Sequence, residues 1–203
     1  MLGAFIHGFV LAFGLILPLG VQNVFVFNQG AAGGKWTRSL PAVITAALCD
    51  TLLIILAVLG VSVIMFKLEW LRTLLFIAGA CFMIYMGWTI WRSAPAEANA
   101  GPAGLPAKRQ AMFAMSVSLL NPQAIIDIVG VIGASSLNYE GSLKTSFALA
   151  AILVSWLWFA GLSLAGRTVG KMNRGGALMK ALNRVSALIV WGMAVYLLLN
   201  GIA

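Results

Sequence analysis

Two carboxylates stand alone inside long apolar stretches: Asp50 in TAALCDTLLIIL and Asp127 in NPQAIIDIVGVI. On insertion scales an acid at the centre of a membrane helix costs about 2.5–3.5 kcal/mol, so such residues face a bundle interior or a wet cavity and mark an ion or substrate path. No Lys or Arg occupies the middle of an apolar stretch to pair with either of them. The chemistry open to these acids is to hold a cation: a proton, a metal ion or an organic ammonium. The alternative is structural, each acid being hydrogen-bonded in place, for instance to Thr45 or Gln123.

Helix breaks lie close to both acids. In LPLGVQN, Pro18 removes a backbone donor, Gly20 adds conformational freedom, and Gln22 and Asn23 offer amides. In LNPQAIID, Asn121 precedes Pro122, which clashes with the carbonyl four residues earlier and frees carbonyls to coordinate a ligand. Gln123 and Asp127, four apart, share one face of a regular helix. Broken helices in corresponding positions of two halves point to a site near the middle of the bilayer. A plain proline kink is the competing reading. Ser155 is a further candidate for the cavity wall. His7 is read as a packed or pore-facing group, and Trp156 and Trp158 as packing residues that could reach a cavity.

The elements that must position these residues follow from composition. Of 203 residues, 62% are hydrophobic and 9% charged, against about 25% charged in an average soluble domain. That excludes a soluble globule, and disorder would need the opposite balance. Runs with at most one ionised side chain cover 1–34, 39–66, 73–91, 110–139, 145–166 and 185–203. A spanning helix needs about 20 residues, so each run crosses once. The expectation is an all-α polytopic membrane protein of six transmembrane helices, with helices 1 and 4 broken. Ser39 ahead of Pro41 reads as the start of helix 2. A Pro/Ala/Gly-rich linker, 93–109, separates a first three-helix repeat, 1–92, from a second, 110–203. An odd helix count per half inverts one repeat against the other. Gly3, Ala4, Gly8, Ala12 and Gly14 suggest close packing of helix 1. Trp70, Trp88, Trp91, Trp191 and Tyr196 read as interfacial anchors.

The net charge of +8 resides in loops and is not interleaved with aromatics, so no nucleic-acid partner is expected. Nine bases (Lys35, Arg38, Arg92, Lys108, Arg109, Arg167, Lys171, Arg174, Lys180) fall in connections 1–2, 3–4 and 5–6, and three (Lys67, Arg72, Lys144) in the other two. The excess places the first set in the cytoplasm and both termini outside. The start of the chain has no base before its apolar run and no cleavage site, so it reads as a membrane helix rather than a cleaved signal. Cys49 and Cys81 show no CxxC spacing, and neither a metal site, a disulfide framework nor a cofactor is expected. A metal-cation exporter would have only Asp50, Asp127, His7, Cys49 and Cys81 to draw on. For an intramembrane serine enzyme there is one histidine and no GxSxG. A pair of aspartates could serve an aspartyl protease, and acids with broken helices also line channels, but the VQN and NP breaks have no role in a protease.

GVQNVFVFNQG, at positions 20–30, resembles the first-helix signature of the lysine/arginine exporter (LysE) family of bacterial amino-acid efflux proteins, which usually reads Gly-Pro-Gln-Asn. ALCD, ending at Asp50, and NPQAIID, ending at Asp127, are similar to its second- and fourth-helix motifs, and the likeness spans the chain in length and motif order. Val21 stands where the family usually has proline, and Pro18 lies three residues earlier. The resemblance implies export of basic amino acids, L-arginine or L-lysine, from the bacterial cytoplasm across the inner membrane, driven by protons. Neutral amino-acid exporters of the same superfamily generally lack an acid after the NP motif, so Asp127 favours a cationic substrate. On that expectation Asp127 neutralises the substrate side chain. The broken-helix amides, with Gly20, Gln22, Asn23, Asn121 and Gln123, line the substrate site, and Asp50 couples the proton. A monomer and a homodimer are both open.

Overall fold

A computed structural model describes residues 1–17, 20–32, 35–61, 69–92 and 105–172, together with 180–181, 184–185, 187–188, 190–192 and 194–195. Pro18 and most of the 93–109 linker lie outside these residues, as do Arg174 and Tyr196; the side chains of Trp70, Pro122 and Gln123 are likewise outside the description. The described residues are helical, joined by turns and short extended links.

Helix α1 runs Leu2–Ile16 and α2 Val21–Ala31. The two meet at 79° and together are apolar and long enough for one broken span. A short 3₁₀ turn, Trp36–Arg38, leads to α3, Leu40–Leu56, with Ser39 at the N-cap and Pro41 in the first turn, where a missing N–H costs nothing. Ser39 does not cap with its hydroxyl. It donates to the Trp36 carbonyl (2.8 Å) and meets the Ser163 hydroxyl at 2.7 Å. A π-helical turn, Ala57–Val61, ends this rod, with Gly60 at φ 99°, a left-handed value that favours glycine. Then come α4 (Glu69–Arg92), α5 (Ala107–Leu119), α6 (Pro122–Ile125), which opens into a π-helical segment Ile126–Ile132 and a last turn Gly133–Ser136, and α7 (Gly141–Met172). The described residues between 180 and 195 are helical as well.

Among the described residues two stretches, Leu40–Gly60 and Gly141–Lys171, are long and apolar enough to cross a bilayer unaided, and the α1–α2 pair passes as a bent third if the two helices are one span. Helix α7 organises the rest. It packs against α1, α2 and α3. Its inner face is a ladder of every fourth residue: Phe147, Ala151, Ser155, Phe159 and Ser163 are all at most 4% exposed. Gly8 of α1 lies against Phe147 and Gly30 of α2 against Ser163, so the broken span runs parallel to α7.

The small residues set that contact. Ala4, Gly8 and Ala12 are buried, four apart, whereas Gly3 and Gly14 meet nothing within 4 Å, so only one stripe of the glycine-alanine pattern is used. Gly30, Gly166 and Gly170, which the sequence pattern does not single out, make the matching contact at the other end, each against facing backbone. A Cβ on Gly30 would collide with the Ser163 carbonyl, which cannot swing aside as a side chain would. Gly30→Ala should therefore lower stability by about 1–3 kcal/mol. Gly14→Ala, in open space, should raise it by about 1 kcal/mol through helix propensity. Opposite shifts in thermal unfolding of the two purified variants in detergent check this; a stabilised Gly30→Ala would refute the close approach.

Trp88 and Trp91 are exposed near the end of α4, with Arg92 4.5 Å above the Trp88 ring. Trp91 stacks on Trp191 at 5.6 Å. His7 lies apart from the acids, its Nδ1 2.8 Å from the Tyr139 hydroxyl and its ring edge-on to Phe147.

Candidate functional site

The site forms where the broken span meets the middles of α3 and α7. Gly20 has an extended backbone (φ −75°, ψ 173°) that any residue adopts, so its value here is the open space beside it rather than a left-handed turn. The Val24 N–H bonds the Gly20 carbonyl at 3.1 Å, which leaves the Val21 and Gln22 N–H groups without partners inside α2. This end of the helix carries the positive pole of its dipole. Asn23 spans the break: its Nδ2 donates to the Ile16 carbonyl (2.8 Å), and its Oδ1 accepts from Trp158 Nε1 (3.2 Å). The amide expected to serve a ligand is held by the protein at both ends, which makes Asn23 a strut of the elbow.

Asp50 sits midway along α3 and is 5% exposed. Gln22 Nε2 donates to its Oδ1 at 3.2 Å and Ser155 Oγ to its Oδ2 at 3.1 Å, so α2, α3 and α7 converge on one carboxyl. Two hydrogen bonds to a charged acceptor contribute about 1.5–3 kcal/mol each, enough to offset the roughly 2.5–3.5 kcal/mol of placing an acid in the membrane. Thr45, offered by the sequence as a partner, does not take this place. Five residues along a helix of 3.6 per turn put it about 140° round from Asp50. Next to the acid, Trp156 Nε1 donates to Thr51 Oγ1 (3.2 Å), so the two deep tryptophans of α7 fix the site's scaffold.

The second break lies at Leu120 and Asn121. Helix α5 closes with the Leu120 N–H on the Ser116 carbonyl (2.9 Å), and the chain restarts with the Ile125 N–H on the Asn121 carbonyl (3.1 Å). Asn121 is buried at this step. Asp127 falls in the π-helical segment just beyond, a wide i→i+5 turn of the kind that clusters at functional sites.

One cavity of about 80 Å³ brings six of the expected residues together, with Pro18 and the side chains of Pro122 and Gln123 outside the description. Gly20, Gln22, Asn23, Asp50, Asn121 and Asp127 line it, with Ser155 beside them and Ile128 and Phe159 as apolar wall. Phe159, which the sequence pattern did not mark, follows Ser155 by one helical turn. The cavity lies on the seam between two buried apolar clusters, one joining α1, α3, the π segment and α7, the other α2, α3, α5 and α7. Among the described residues no three of His, Cys, Asp and Glu converge as a metal site. The arrangement offers two carboxyls, side-chain amides and a helix N-terminus around a small space, a chemistry suited to a zwitterion that carries an extra cation.

The chain matches the profile of the LysE type translocator over residues 13–201. It is 51% identical over 195 residues to the Bacillus subtilis (strain 168) protein named "Putative amino-acid transporter YisU", covering 96% of this chain and 89% of that one. Identity to the arginine exporter protein ArgO of Serratia proteamaculans is 30% over 205 residues, covering 99% and 98% of the two chains. To ArgO of Escherichia coli K12 it is 28% over 208 residues, covering 100% and 97%. No solved structure matches the chain. With the profile spanning nearly all of the sequence and relatives aligned end to end, this protein belongs to the LysE type translocator family.

Proposed function

We propose that this translocator exports a cationic amino acid, L-arginine or L-lysine, from the bacterial cytoplasm in exchange for protons. The observation that carries the reading is the single cavity shared by Asp50, Asp127 and the residues at both helix breaks. The relatives named arginine exporter support the substrate class. Asp127 pairs with the guanidinium or ammonium of the side chain. The first-turn N–H groups of α2, with Gln22 and Asn121, receive the α-carboxylate, which suits a positive helix end. Gln123, four residues before Asp127 in the sequence, is a further substrate contact on this reading. Pro18 and Pro122 create the two breaks.

Energetics favour coupling. Moving one positive charge out against an inside-negative potential costs about 2.3 kcal/mol per 100 mV, and an inward proton cancels that cost. Asp50 carries the proton. The cavity, at about 80 Å³, is far below the roughly 300–1,000 Å³ of ordinary ligand sites, so loading requires the walls to part. Two inverted three-helix repeats in the inner membrane, both termini outside, rocking about the breaks, would provide that motion. The parallel run of the first broken span and α7 is in keeping with that topology.

Counterflow of labelled arginine in proteoliposomes tests the reading, with unlabelled lysine, leucine, threonine and Cd²⁺ as competitors. Lysine should compete at least tenfold better than the others. Competition by leucine or threonine would move the substrate to the neutral class, and a metal signal without an arginine signal would sink the amino-acid reading.

A further inference from the structure

We propose that Ser155 is the positioning residue that lets Asp50 gain and lose a proton without moving. Its hydroxyl donates to the carboxylate, and it turns to accept from the carboxylic acid. This rests on the reading of Asp50 as the proton-coupling group.

Three observations lead there. First, Ser155 Oγ is 3.1 Å from Asp50 Oδ2, 4% exposed and on the cavity wall, so the contact lies where a proton from cavity water would arrive. Second, the two partners of Asp50 differ in kind. Gln22 reaches Oδ1 through its NH₂, which only donates, and would have to flip its whole amide to accept. A hydroxyl has one donor and two acceptor sites and changes role by rotating. Third, several described helical hydroxyls donate to the carbonyl four residues earlier, Thr51 to Ala47 (2.7 Å), Ser118 to Ala114 (2.8 Å), Ser116 to Met112 (2.9 Å) and Thr168 to Leu164 (3.0 Å), whereas Ser146 and Ser163 of α7 reach the Met1 carbonyl and the Ser39 hydroxyl, so both arrangements are open to a helical serine. Ser155 is turned to the acid instead, and the corresponding carbonyl, that of Ala151, is the resting place for its hydrogen when the acid is neutral.

The cycle then balances. A proton from cavity water binds Asp50 Oδ2; the new O–H donates to Ser155 Oγ, and the serine hydrogen swings to the Ala151 carbonyl. On release to water the serine turns back. Few other charges face the pair. Asp127 of the π segment lines the same cavity, and Cys49, the chain neighbour of Asp50, is buried beside Ser118 of α5. Helix α2 contributes no titratable side chain, and α1 only His7, held at Tyr139. Lys108 and Arg109 sit at the start of α5. Lys144, Arg167 and Lys171 lie 11, 12 and 16 residues from Ser155 on α7, at least about 16 Å along the helix.

Wild type, S155A and S155T reconstituted in liposomes provide the test, with two readouts. In pH-gradient-driven arginine transport, S155A should fall at least tenfold while arginine counterflow falls less than threefold. The remaining driven activity should shift to higher pH by about one unit, because a lost donor disfavours the carboxylate. S155T, which keeps the hydroxyl, should recover most of the rate. Independently of any substrate, acid-induced infrared difference spectra should show a carboxylic-acid band that D50N removes, S155A displaces and S155T returns. An unchanged band and profile in S155A would overturn the proposal, as would equal loss of both transport modes without rescue by S155T. A wild type whose transport ignores the pH gradient, with no Asp50 band, overturns the underlying reading of Asp50 instead.

Discussion

Asn at position 127 should abolish transport of arginine while leaving a folded protein in the membrane. Asp127 lines the cavity from the π-helical segment, and Asp50 lines it from α3. A substrate guanidinium taken out of water without its counter-charge loses about 2–5 kcal/mol, the usual consequence of truncating one partner of a buried charge pair. At 1.4 kcal/mol per decade this weakens arginine binding by at least about thirtyfold, and a hundredfold or more in the middle of that range. Asn matches Asp in shape and keeps one acceptor oxygen, so the helix break and π turn should persist. The check has two parts. Binding of arginine to purified D127N, read by calorimetry, should fall below detection at millimolar ligand, while size-exclusion profile and helical circular dichroism match wild type. Wild-type transport in this variant would remove Asp127 from the substrate site and leave the cationic assignment without its counter-charge.

Which parts of this site could be read from residues alone follows from how local each signal is. Asp50 and Asp127 announce themselves because an acid in an apolar run is expensive wherever it points. The breaks show because Pro and Gly act on their own backbone neighbours: the chain leaves helical geometry between Ile16 and Val21 and again at Leu120 and Asn121. Partners are another matter. Ser155 lies 105 residues from Asp50, and Trp158 lies 135 from Asn23. Helix α7 is apolar on nearly all sides, so hydrophobic periodicity cannot say which face turns inward. What does mark that face is the four-residue ladder of Phe147, Ala151, Ser155, Phe159 and Ser163, with Gly166 and Gly170 beyond, a mix of small, polar and aromatic residues in an otherwise aliphatic helix. Helix α1 shows the same limit: five small residues are visible, and only contact with α7 separates Ala4, Gly8 and Ala12 from Gly3 and Gly14. The π-helical segment at Asp127 had no specific sign either: its Ile, Val, Asp and Gly residues are weak helix formers, which disfavours a regular helix without specifying a π turn.

The other acid should fail differently. In D50N the carboxyl that takes the proton is gone, while the amide that replaces it can accept from Gln22 Nε2 through its oxygen and donate through its NH₂ to Ser155 Oγ, whose hydroxyl turns to accept, so the three helices keep their meeting point. Accumulation of arginine driven by an imposed pH gradient should drop at least tenfold. Exchange of arginine for arginine, which needs no net proton movement, should persist at a measurable rate. The reason is energetic: with Asp50 neutral at all times, the carrier can reorient with substrate bound on either side, but no proton returns to offset the roughly 2.3 kcal/mol per 100 mV of moving the substrate charge outward. The pH dependence should flatten as well, because the group whose protonation it reports is absent. Replacement by Leu separates coupling from structure: D50L leaves the buried Gln22 and Ser155 donors without their acceptor, costing about 1–3 kcal/mol for each unsatisfied group, and should lower thermal stability where D50N does not. If D50N kept gradient-driven accumulation, the proton would have to travel by Asp127, with substrate and proton competing for one carboxyl. Arginine counterflow would then be inhibited by acid in D50N as strongly as in wild type.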